Sequence, residues 1–245
     1  MTPSSVLDRR PGLLILLDPA RAQVPSSAAL ARAAAAAGAA GILIGSSFDG
    51  AAQTQALARA VREAAPGLPV VLFPGSAMQL TDRVDLILFL SLISGRNPQY
   101  LIEEHVRAVP WLRDHAVQTL STGYILIDGG RVTSVEAVSQ TRPLPADKPE
   151  LAAAHALAGK LIGMSAIYLD AGSGAQQPVT VDIIGAVRTA VPAPTLLFVG
   201  GGIRTPRQAE AARLAGADYV VIGTALERAA SPTQELDDFV RAVNG

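Results

Sequence analysis

The sequence contains no cysteine and few aromatic residues, and its charges almost cancel. Without cysteine there are no disulfides and no thiolate metal ligands, which fits a reducing compartment, so we expect a cytoplasmic protein. Lysine and arginine number 20 against 21 for aspartate and glutamate, which leaves no broad basic surface for nucleic acid. We therefore expect no nucleic-acid partner.

Long apolar runs are also scarce. The uncharged stretch from Ala33 to Phe48 is shorter than a membrane span and is interrupted by glycines. Charged residues such as Asp8 and Arg10 precede the first apolar run, which is unlike a secretory signal. We expect a soluble protein that a lipid substrate or product could still bring transiently to a membrane surface.

What the sequence does contain is aliphatic. Hydrophobic residues make up 49% of the chain and aromatic residues only 4%, so the core must be aliphatic, as parallel strands buried on both faces require. Strand-like runs alternate with helical stretches, which predicts an α/β fold with a parallel sheet. Eight candidate strands favour a single (β/α)8 TIM-type barrel over residues 1–245 rather than an open doubly wound sheet.

Three irregularities are predicted in this barrel. Residues 76–83 leave too little room for a full third helix, which should be short or missing. Asp128-Gly129 is a hairpin signal after the fifth strand, and residues 131–138 would form its returning strand. A long helix over residues 99–113 should be interrupted near Pro110.

Glycine-rich turns follow the last three candidate strands. Gly172 to Gly174 follows the sixth strand, Gly200 to Gly202 the seventh, and Gly223 with Thr224 the eighth. Glycine lets backbone N–H groups approach a ligand closely, and a helix start adds positive potential. Because the last loops of (β/α)8 barrels often hold phosphate, we predict a phosphate site at the carboxyl ends of these strands.

Asp18 and Ser47 follow the first and second strands. Taken singly, an Asp-Pro turn and a serine helix cap would explain them. Adjacent strands would, however, place this carboxylate and this hydroxyl on one rim, and Mg²⁺ prefers such oxygen ligands, completed by substrate phosphate and water. The pair predicts a Mg²⁺ site that would bind a diphosphate opposite the phosphate turns.

Asp170 ends the sixth strand, two residues before Gly172. Its carboxylate could accept a proton from a hydroxyl of the phosphorylated ligand. It could equally accept a hydrogen bond from the following backbone and so hold the glycine-rich turn. The residues alone leave both interpretations open.

Several motifs together resemble one family. From Leu16 to about Glu227, the chain resembles the geranylgeranylglyceryl phosphate synthases and their bacterial heptaprenylglyceryl phosphate synthase relatives. The motifs that carry this resemblance are Leu-Leu-Asp-Pro at 16–19, Gly-Ile-Leu-Ile-Gly-Ser-Ser at 41–47, Val-Leu-Phe-Pro-Gly at 71–75, Leu-Phe-Leu-Ser-Leu-Ile-Ser at 88–94, Gly-Tyr-Ile-Leu-Ile at 123–127, Tyr-Leu-Asp-Ala-Gly-Ser-Gly-Ala at 168–175, Val-Gly-Gly-Gly-Ile-Arg at 199–204 and Gly-Ala-Asp-Tyr-Val-Val-Ile-Gly-Thr at 216–224.

The resemblance implies a Mg²⁺-dependent transferase that joins a prenyl group, from its diphosphate, to the 3-hydroxyl of sn-glycerol 1-phosphate. Asp18 and Ser47 would hold the metal, with Ser46 as the alternative hydroxyl, and Asp170 would take the proton as the ether bond forms. It also implies a homo-oligomer, either a dimer or a hexamer. The residues implied to bind glycerol phosphate are Tyr168, Leu169, Asp170, Ala171, Gly172, Ser173, Gly174, Gly201, Gly202, Gly223 and Thr224.

The chain departs from the family pattern at a few positions. Many members have Glu in place of Asp170, which is the same chemistry with one methylene less reach. Gly45-Ser46-Ser47 stands where Gly-Gly-Ser is usual, and Arg21 stands near the place of a common lysine. None of these changes the expected reaction.

Tyr100 bears on the length of the prenyl donor. In the family, an aromatic residue in the stretch after the fourth strand blocks the prenyl groove and gives geranylgeranyl specificity, whereas a small residue admits heptaprenyl. Tyr100 could equally be packed beneath a helix start. We expect geranylgeranyl diphosphate as the donor, with heptaprenyl diphosphate as the alternative.

Two other classes of function fit the last three strands. One is another phosphate-binding barrel enzyme, such as a sugar-phosphate isomerase or a synthase of the thiamin or tryptophan pathways. The other is a non-catalytic barrel that binds a phosphorylated ligand. Neither requires Asp18 together with Ser47 or an apolar groove, and the second predicts binding without Mg²⁺-dependent turnover.

Overall fold

The computed structural model describes residues 6–8, 10–227 and 232–245. These residues form a closed parallel barrel in which each strand pairs with the next along the chain and the last pairs with the first. The predicted (β/α)8 TIM-type barrel is therefore confirmed. The strands are β1 Gly12–Leu17, β2 Gly41–Ile44, β3 Val70–Leu72, β4 Leu86–Leu92, β5 Gln118–Leu126, β6 Ala166–Asp170, β7 Leu196–Gly200 and β8 Tyr219–Ile222.

Helices alternate with these strands and pack on the outside of the barrel. α1 begins with a proline in its first turn and ends at Gly38, which has a φ of 85° that favours glycine. The α-helices are α1 Val24–Ala37, α2 Ala51–Ala64, α3 Glu104–Asp114, α4 Ser134–Ser139, α5 Pro149–Leu161, α6 Val181–Ala190, α7 Pro206–Leu214, α8 Thr224–Glu227 and α9 Pro232–Asn244.

The third helix of a regular barrel is missing, as predicted. Between β3 and β4 the chain makes a single 3₁₀ turn, Ala77–Gln79. Ala77 in this turn and Leu80 directly after it line the cleft described below.

The predicted hairpin after β5 is wrong. Residues 134–139 form α4 instead of a returning strand, and the N–H of Gly130 donates to the side chain of Asp128 at 2.8 Å, which closes a local turn. The physical reason is the closed barrel: β5 is paired with β6 on one edge and with β4 up to Tyr124 on the other, and Leu144 bonds to the remaining part of that second edge, so a returning strand has no edge to join.

The predicted interruption near Pro110 is also wrong. α3 runs through Pro110 without a break, and the irregularity lies before it, in a π-helical turn over Gln99–Glu103. The proline removes one backbone donor from the helix, and the helix tolerates this single loss.

Alternate residues of the strands face two different apolar regions. In β6, Ala166 and Tyr168 pack inside the barrel with Phe198 and Tyr219, whereas Ile167 and Leu169 pack between the barrel and the helices. This period of two follows from strand geometry. Asp170 continues the inward-facing series at the carboxyl end of β6, so a carboxylate caps the barrel interior. Among the described residues, no helix is both long and apolar enough to cross a membrane.

Candidate active site

A cleft opens where the strands end, and most of the predicted site residues line it. The space between its walls, counted together with the open solvent at its mouth, is about 1580 Å³. Residues at or near the carboxyl ends of all the strands contribute to it. The predicted residues that line it are Asp18, Ser46, Ser47, Tyr100, Tyr168, Asp170, Ser173, Gly174, Gly201, Gly202, Gly223 and Thr224.

Asp170 lies at the base of the cleft with both carboxylate oxygens engaged. Oδ2 accepts a hydrogen bond of 2.5 Å from the Tyr124 hydroxyl, and Oδ1 accepts one of 2.8 Å from the N–H of Gly172. Burial raises the pKa of Asp170, while these two hydrogen bonds act in the opposite direction. The two interpretations left open by the sequence are thus compatible, because one oxygen holds the turn while the carboxylate still lines the cleft.

Aromatic rings surround this carboxylate. Phe73 stacks on Tyr168 with ring centroids 4.8 Å apart, and Tyr124 lies 5.9 Å from Phe73 and 5.6 Å from Tyr168. Burial, together with the nearby charge of Asp170, raises the pKa of both tyrosines well above its usual value. Both phenols therefore stay protonated, and Tyr124 serves as a donor to Asp170.

The glycine-rich turns form the polar end of the cleft. Gly201 has a φ of 79°, and a Cβ at this position would lie 2.3 Å from Asp170 Oδ1. Gly202 has a φ of 70°, and its Cβ would lie 2.4 Å from the carbonyl oxygen of Gln177. Only bare backbone fits at these two positions. In these turns, as far as the structure describes them, the N–H groups of Ser173, Gly174, Gly201 and Gly202 make no hydrogen bond.

Asp18 and Ser47 meet at the same cleft, as predicted. The Asp18 side chain is 22% exposed; it accepts a hydrogen bond from the N–H of Ala20 at 3.0 Å and lies 3.7 Å from Arg21 Nε. The hydroxyls of Ser46 and Ser47 make no hydrogen bond to any described residue. In residues 6–8, 10–227 and 232–245, no three His, Cys, Asp or Glu side chains cluster into a protein-only metal cage.

The other end of the cleft is apolar. Its walls come from β4, the 3₁₀ turn, α3 and α4, and they include Leu80, Leu90 and Val138. The ring of His105 packs against Phe89 with centroids 4.2 Å apart, and burial lowers the pKa of this histidine, which favours the neutral form.

Tyr100 stands in this apolar end. Its ring lines the cleft and also packs against the interior core of the barrel. Its hydroxyl lies 3.5 Å from the carbonyl oxygen of Val138 in α4. The helix that replaces the predicted hairpin therefore supplies part of the wall beside Tyr100.

Three predicted residues, Leu169, Ala171 and Gly172, do not line the cleft. Leu169 and Ala171 are buried between the barrel and the helices, and the N–H of Ala171 already donates to Gly200. The N–H of Gly172 is taken by Asp170. Any contact of these residues with a ligand would have to be made by other backbone atoms.

Sequence reasoning assigned no role to Tyr124, Phe73 or Glu104. A signal for Tyr124 existed, because it pairs in register with Tyr168 and shares its inward face. Phe73 ends a strand motif that the family resemblance already included. Glu104 accepts from the N–H of Ala77 across 27 residues, and no local pattern predicts such a contact.

Comparisons with known proteins agree with this geometry. A geranylgeranylglyceryl phosphate synthase from Methanothrix thermoacetophila is 40% identical over 233 residues, covering 94% of this chain and 89% of the relative. One from Chitinophaga pinensis is 46% identical over 175 residues, covering 71% of this chain and 69% of the relative. The crystal structure of (S)-3-O-geranylgeranylglyceryl phosphate synthase from Thermoplasma acidophilum, in complex with its substrate sn-glycerol-1-phosphate, superposes with a TM-score of 0.90 at 28% identity, covering 100% and 99% of the two chains.

The family assignment does not depend on a single relative. Residues 5–243 match the PcrB family as a whole, so the match includes β1 with Asp18, β6 with Asp170 and the glycine-rich turns. The resemblance that the motifs indicated is confirmed, and the chain belongs to the PcrB family.

Proposed function

We propose that this chain transfers a geranylgeranyl group from its diphosphate to the 3-hydroxyl of sn-glycerol 1-phosphate, with Mg²⁺ as cofactor. The observation that carries the proposal is that one cleft joins unpaired backbone donors, a buried carboxylate and an apolar end. The names of the relatives, and the substrate bound in the Thermoplasma acidophilum structure, support it.

Glycerol phosphate would bind at the polar end. The N–H groups of Ser173, Gly174, Gly201 and Gly202 are free to donate to phosphate oxygens, and the bare backbone allows a close approach. The glycerol hydroxyls would then lie beside Asp170, because the backbone of Gly201 is so close to that carboxylate that an added Cβ would lie 2.3 Å from Oδ1.

Asp170 would act as the general base. As the 3-hydroxyl oxygen bonds to the first carbon of the prenyl chain, its O–H bond breaks and the proton passes to the carboxylate. The bond from that carbon to the diphosphate breaks, and its electron pair leaves with the diphosphate. The raised pKa of Asp170 suits this role, because a base is most effective when its pKa lies near the working pH.

The donor set at Asp18 and Ser47 fits Mg²⁺. One partly exposed carboxylate and serine hydroxyls without internal partners are hard oxygen ligands, and the absence of a protein-only cage among the described residues fits an ion that also needs substrate phosphate and water. When bound, the ion would neutralise charge on the diphosphate and so help it to leave. Asp18 and Ser47 would orient the diphosphate toward the glycerol phosphate.

The prenyl chain would occupy the apolar end. Tyr100 fills space between the interior core and α4, which supports a donor shorter than heptaprenyl diphosphate. We expect a homo-oligomer, a dimer or a hexamer, since Ile102, Val106 and Val109 leave an apolar face of the α3 region exposed. The cytoplasm remains the expected compartment.

A product assay would test the proposal. Purified protein is incubated with Mg²⁺ and sn-glycerol 1-phosphate, with geranylgeranyl or heptaprenyl diphosphate offered separately and sn-glycerol 3-phosphate as the wrong-isomer control. Ether product from geranylgeranyl diphosphate and sn-glycerol 1-phosphate is expected. A preference for heptaprenyl diphosphate would contradict the role of Tyr100, and no ether with either donor would return the chain to the other phosphate-binding barrels or to a non-catalytic barrel.

A further inference from the structure

Gln79 is a polar side chain in the apolar neighbourhood of the 3₁₀ turn, and it is only 2% exposed. Its amide makes three hydrogen bonds to backbone atoms. Nε2 donates to the carbonyl oxygens of Ser46 at 3.0 Å and Asp49 at 3.1 Å, and Oε1 accepts from the N–H of Gly75 at 2.9 Å. Both amide hydrogens are used, so the side chain is fixed in one orientation.

These bonds enclose Ser47. The two carbonyls that accept from Gln79 lie one residue before and two residues after Ser47 in the loop that follows β2. The third bond reaches the loop that follows β3. Gln79 therefore joins the two loops and holds the first of them on both sides of the predicted metal ligand.

The same two loops are packed backbone against backbone. A Cβ on Gly45 would lie 1.7 Å from the carbonyl oxygen of Phe73, and a Cβ on Gly75 would lie 2.3 Å from the carbonyl oxygen of Ser46. Such contact leaves no space between the loops for side chains that could fix their relative position. The amide of Gln79 connects the two loops through its three hydrogen bonds.

The need for this connection follows from the missing third helix. The other strands are connected through α-helices, but between β3 and β4 the chain makes only the single turn Ala77–Gln79. The other side of that turn is fixed by Glu104, which accepts from the N–H of Ala77 at 2.8 Å. The turn is thus bonded to α3 on one side, and through Gln79 it is bonded to the loop that carries Ser47 on the other.

We propose that Gln79 is a positioning residue for the Mg²⁺–diphosphate site, acting through the Ser46–Asp49 loop rather than by contact with the ion or the substrate. This inference rests on the proposed function. Without the amide, the carbonyl oxygens of Ser46 and Asp49 would lose the partner that joins them to the 3₁₀ turn, and the loop would be free to shift. Ser47 would then lose its orientation, while the phosphate turns on the opposite side of the cleft would be unaffected.

The test measures ion binding directly, without turnover. Mn²⁺ binding in the presence of inorganic pyrophosphate is followed by electron paramagnetic resonance for the wild type, Gln79→Met and Gln79→Asn. Methionine keeps the length and removes every hydrogen bond, whereas asparagine keeps the amide but is one methylene too short to reach both loops. We expect about 10- to 100-fold weaker binding in both variants, as for other residues that orient metal ligands.

Asp85→Ala is the matched control. Asp85 precedes β4 at the opposite end of the same strands, where it accepts from the N–H of Val70 at 2.9 Å and pairs with Arg62. Its loss should lower the thermal midpoint but leave Mn²⁺ binding unchanged. In the Gln79 variants, the KM for sn-glycerol 1-phosphate should also stay unchanged.

The outcomes separate this inference from the proposed function. Wild-type Mn²⁺ affinity in the folded Gln79→Met or Gln79→Asn protein would overturn the positioning role and leave the proposed reaction untouched. A wild type that neither binds Mn²⁺ with pyrophosphate nor forms ether would overturn the metal site itself, and the role of Gln79 with it.

Discussion

Replacing Tyr124 by phenylalanine should make the reaction sensitive to acid. The change removes one hydroxyl, and with it the 2.5 Å hydrogen bond to Asp170 Oδ2. That bond favours the charged form of the carboxylate and so lowers the pKa that burial raises. Without this hydrogen bond the pKa of Asp170 rises further, so at a given pH Asp170 is protonated in a larger fraction of the protein molecules. Those molecules lack the base.

The size of the effect follows from the kind of bond. A hydrogen bond to a charged group contributes about 1.5–3 kcal/mol, and about 1.4 kcal/mol corresponds to a factor of ten. On the acid side of the profile, kcat/KM should therefore fall by about 10- to 100-fold. At high pH, where Asp170 is ionised in both proteins, the two rates should converge.

The assay is the pH profile of kcat/KM for ether formation in the wild type and in Tyr124→Phe. Tyr219→Phe is the matched control, because it also removes a buried phenolic hydroxyl, one that donates to the carbonyl oxygen of Leu7 at 2.6 Å, far from the cleft. The control should lose stability without moving the acid limb. An acid limb that stays in place in Tyr124→Phe, or a loss of rate that is equal at every pH, would show that the hydrogen bond from Tyr124 does not govern the ionisation of Asp170.

Three further changes test the other parts of the cleft. Asp170→Asn removes the base and should lower kcat by about 10²- to 10⁴-fold. Because burial disfavours the charged form, the free energy of unfolding of this variant at neutral pH should not fall, and a large fall of that free energy in chemical denaturation would contradict this. Asp18→Asn should raise the Mg²⁺ concentration for half-maximal rate by about tenfold or more, and an unchanged Mg²⁺ titration would remove Asp18 from the metal site. Tyr100→Ala opens the apolar end and should increase turnover of heptaprenyl relative to geranylgeranyl diphosphate in a competition assay, whereas an unchanged product ratio would show that another residue sets the chain length.

Much of the fold and the rim of the site followed from local patterns. Short aliphatic runs, each ended by small or acidic residues, specify the strands and their carboxyl ends. In a closed barrel all those ends share one rim, so Asp18, Ser47 and the glycine-rich turns had to converge once the barrel was inferred. This convergence follows from the topology of the barrel alone.

Contacts between distant parts of the chain were harder to predict. The bond from Tyr124 to Asp170 spans 46 residues, and those from Gln79 to the loop after β2 span 30 and 33 residues. They depend on strand register and on where the 3₁₀ turn packs against the loop after β2, which periodicity does not encode. The hairpin prediction failed for a related reason: its Asp-Gly signal is local, whereas the occupied edges of β5 are a property of the whole barrel.

The burial of Asp170 affects the stability of the fold and the proposed role of Asp170 as a base in opposite directions. Its pKa is raised in the folded protein, so the stability that it contributes is fully present below its unfolded pKa and is lost as pH rises through the folded pKa. At the pH where the carboxylate can act as a base, its burial therefore opposes folding. Tyr124 and Gly172 reduce this cost by hydrogen bonding to the charged form. The two bonds stabilise the charged form of a carboxylate at the end of an aliphatic and aromatic interior, and this is the form that the proposed proton transfer from the alcohol requires.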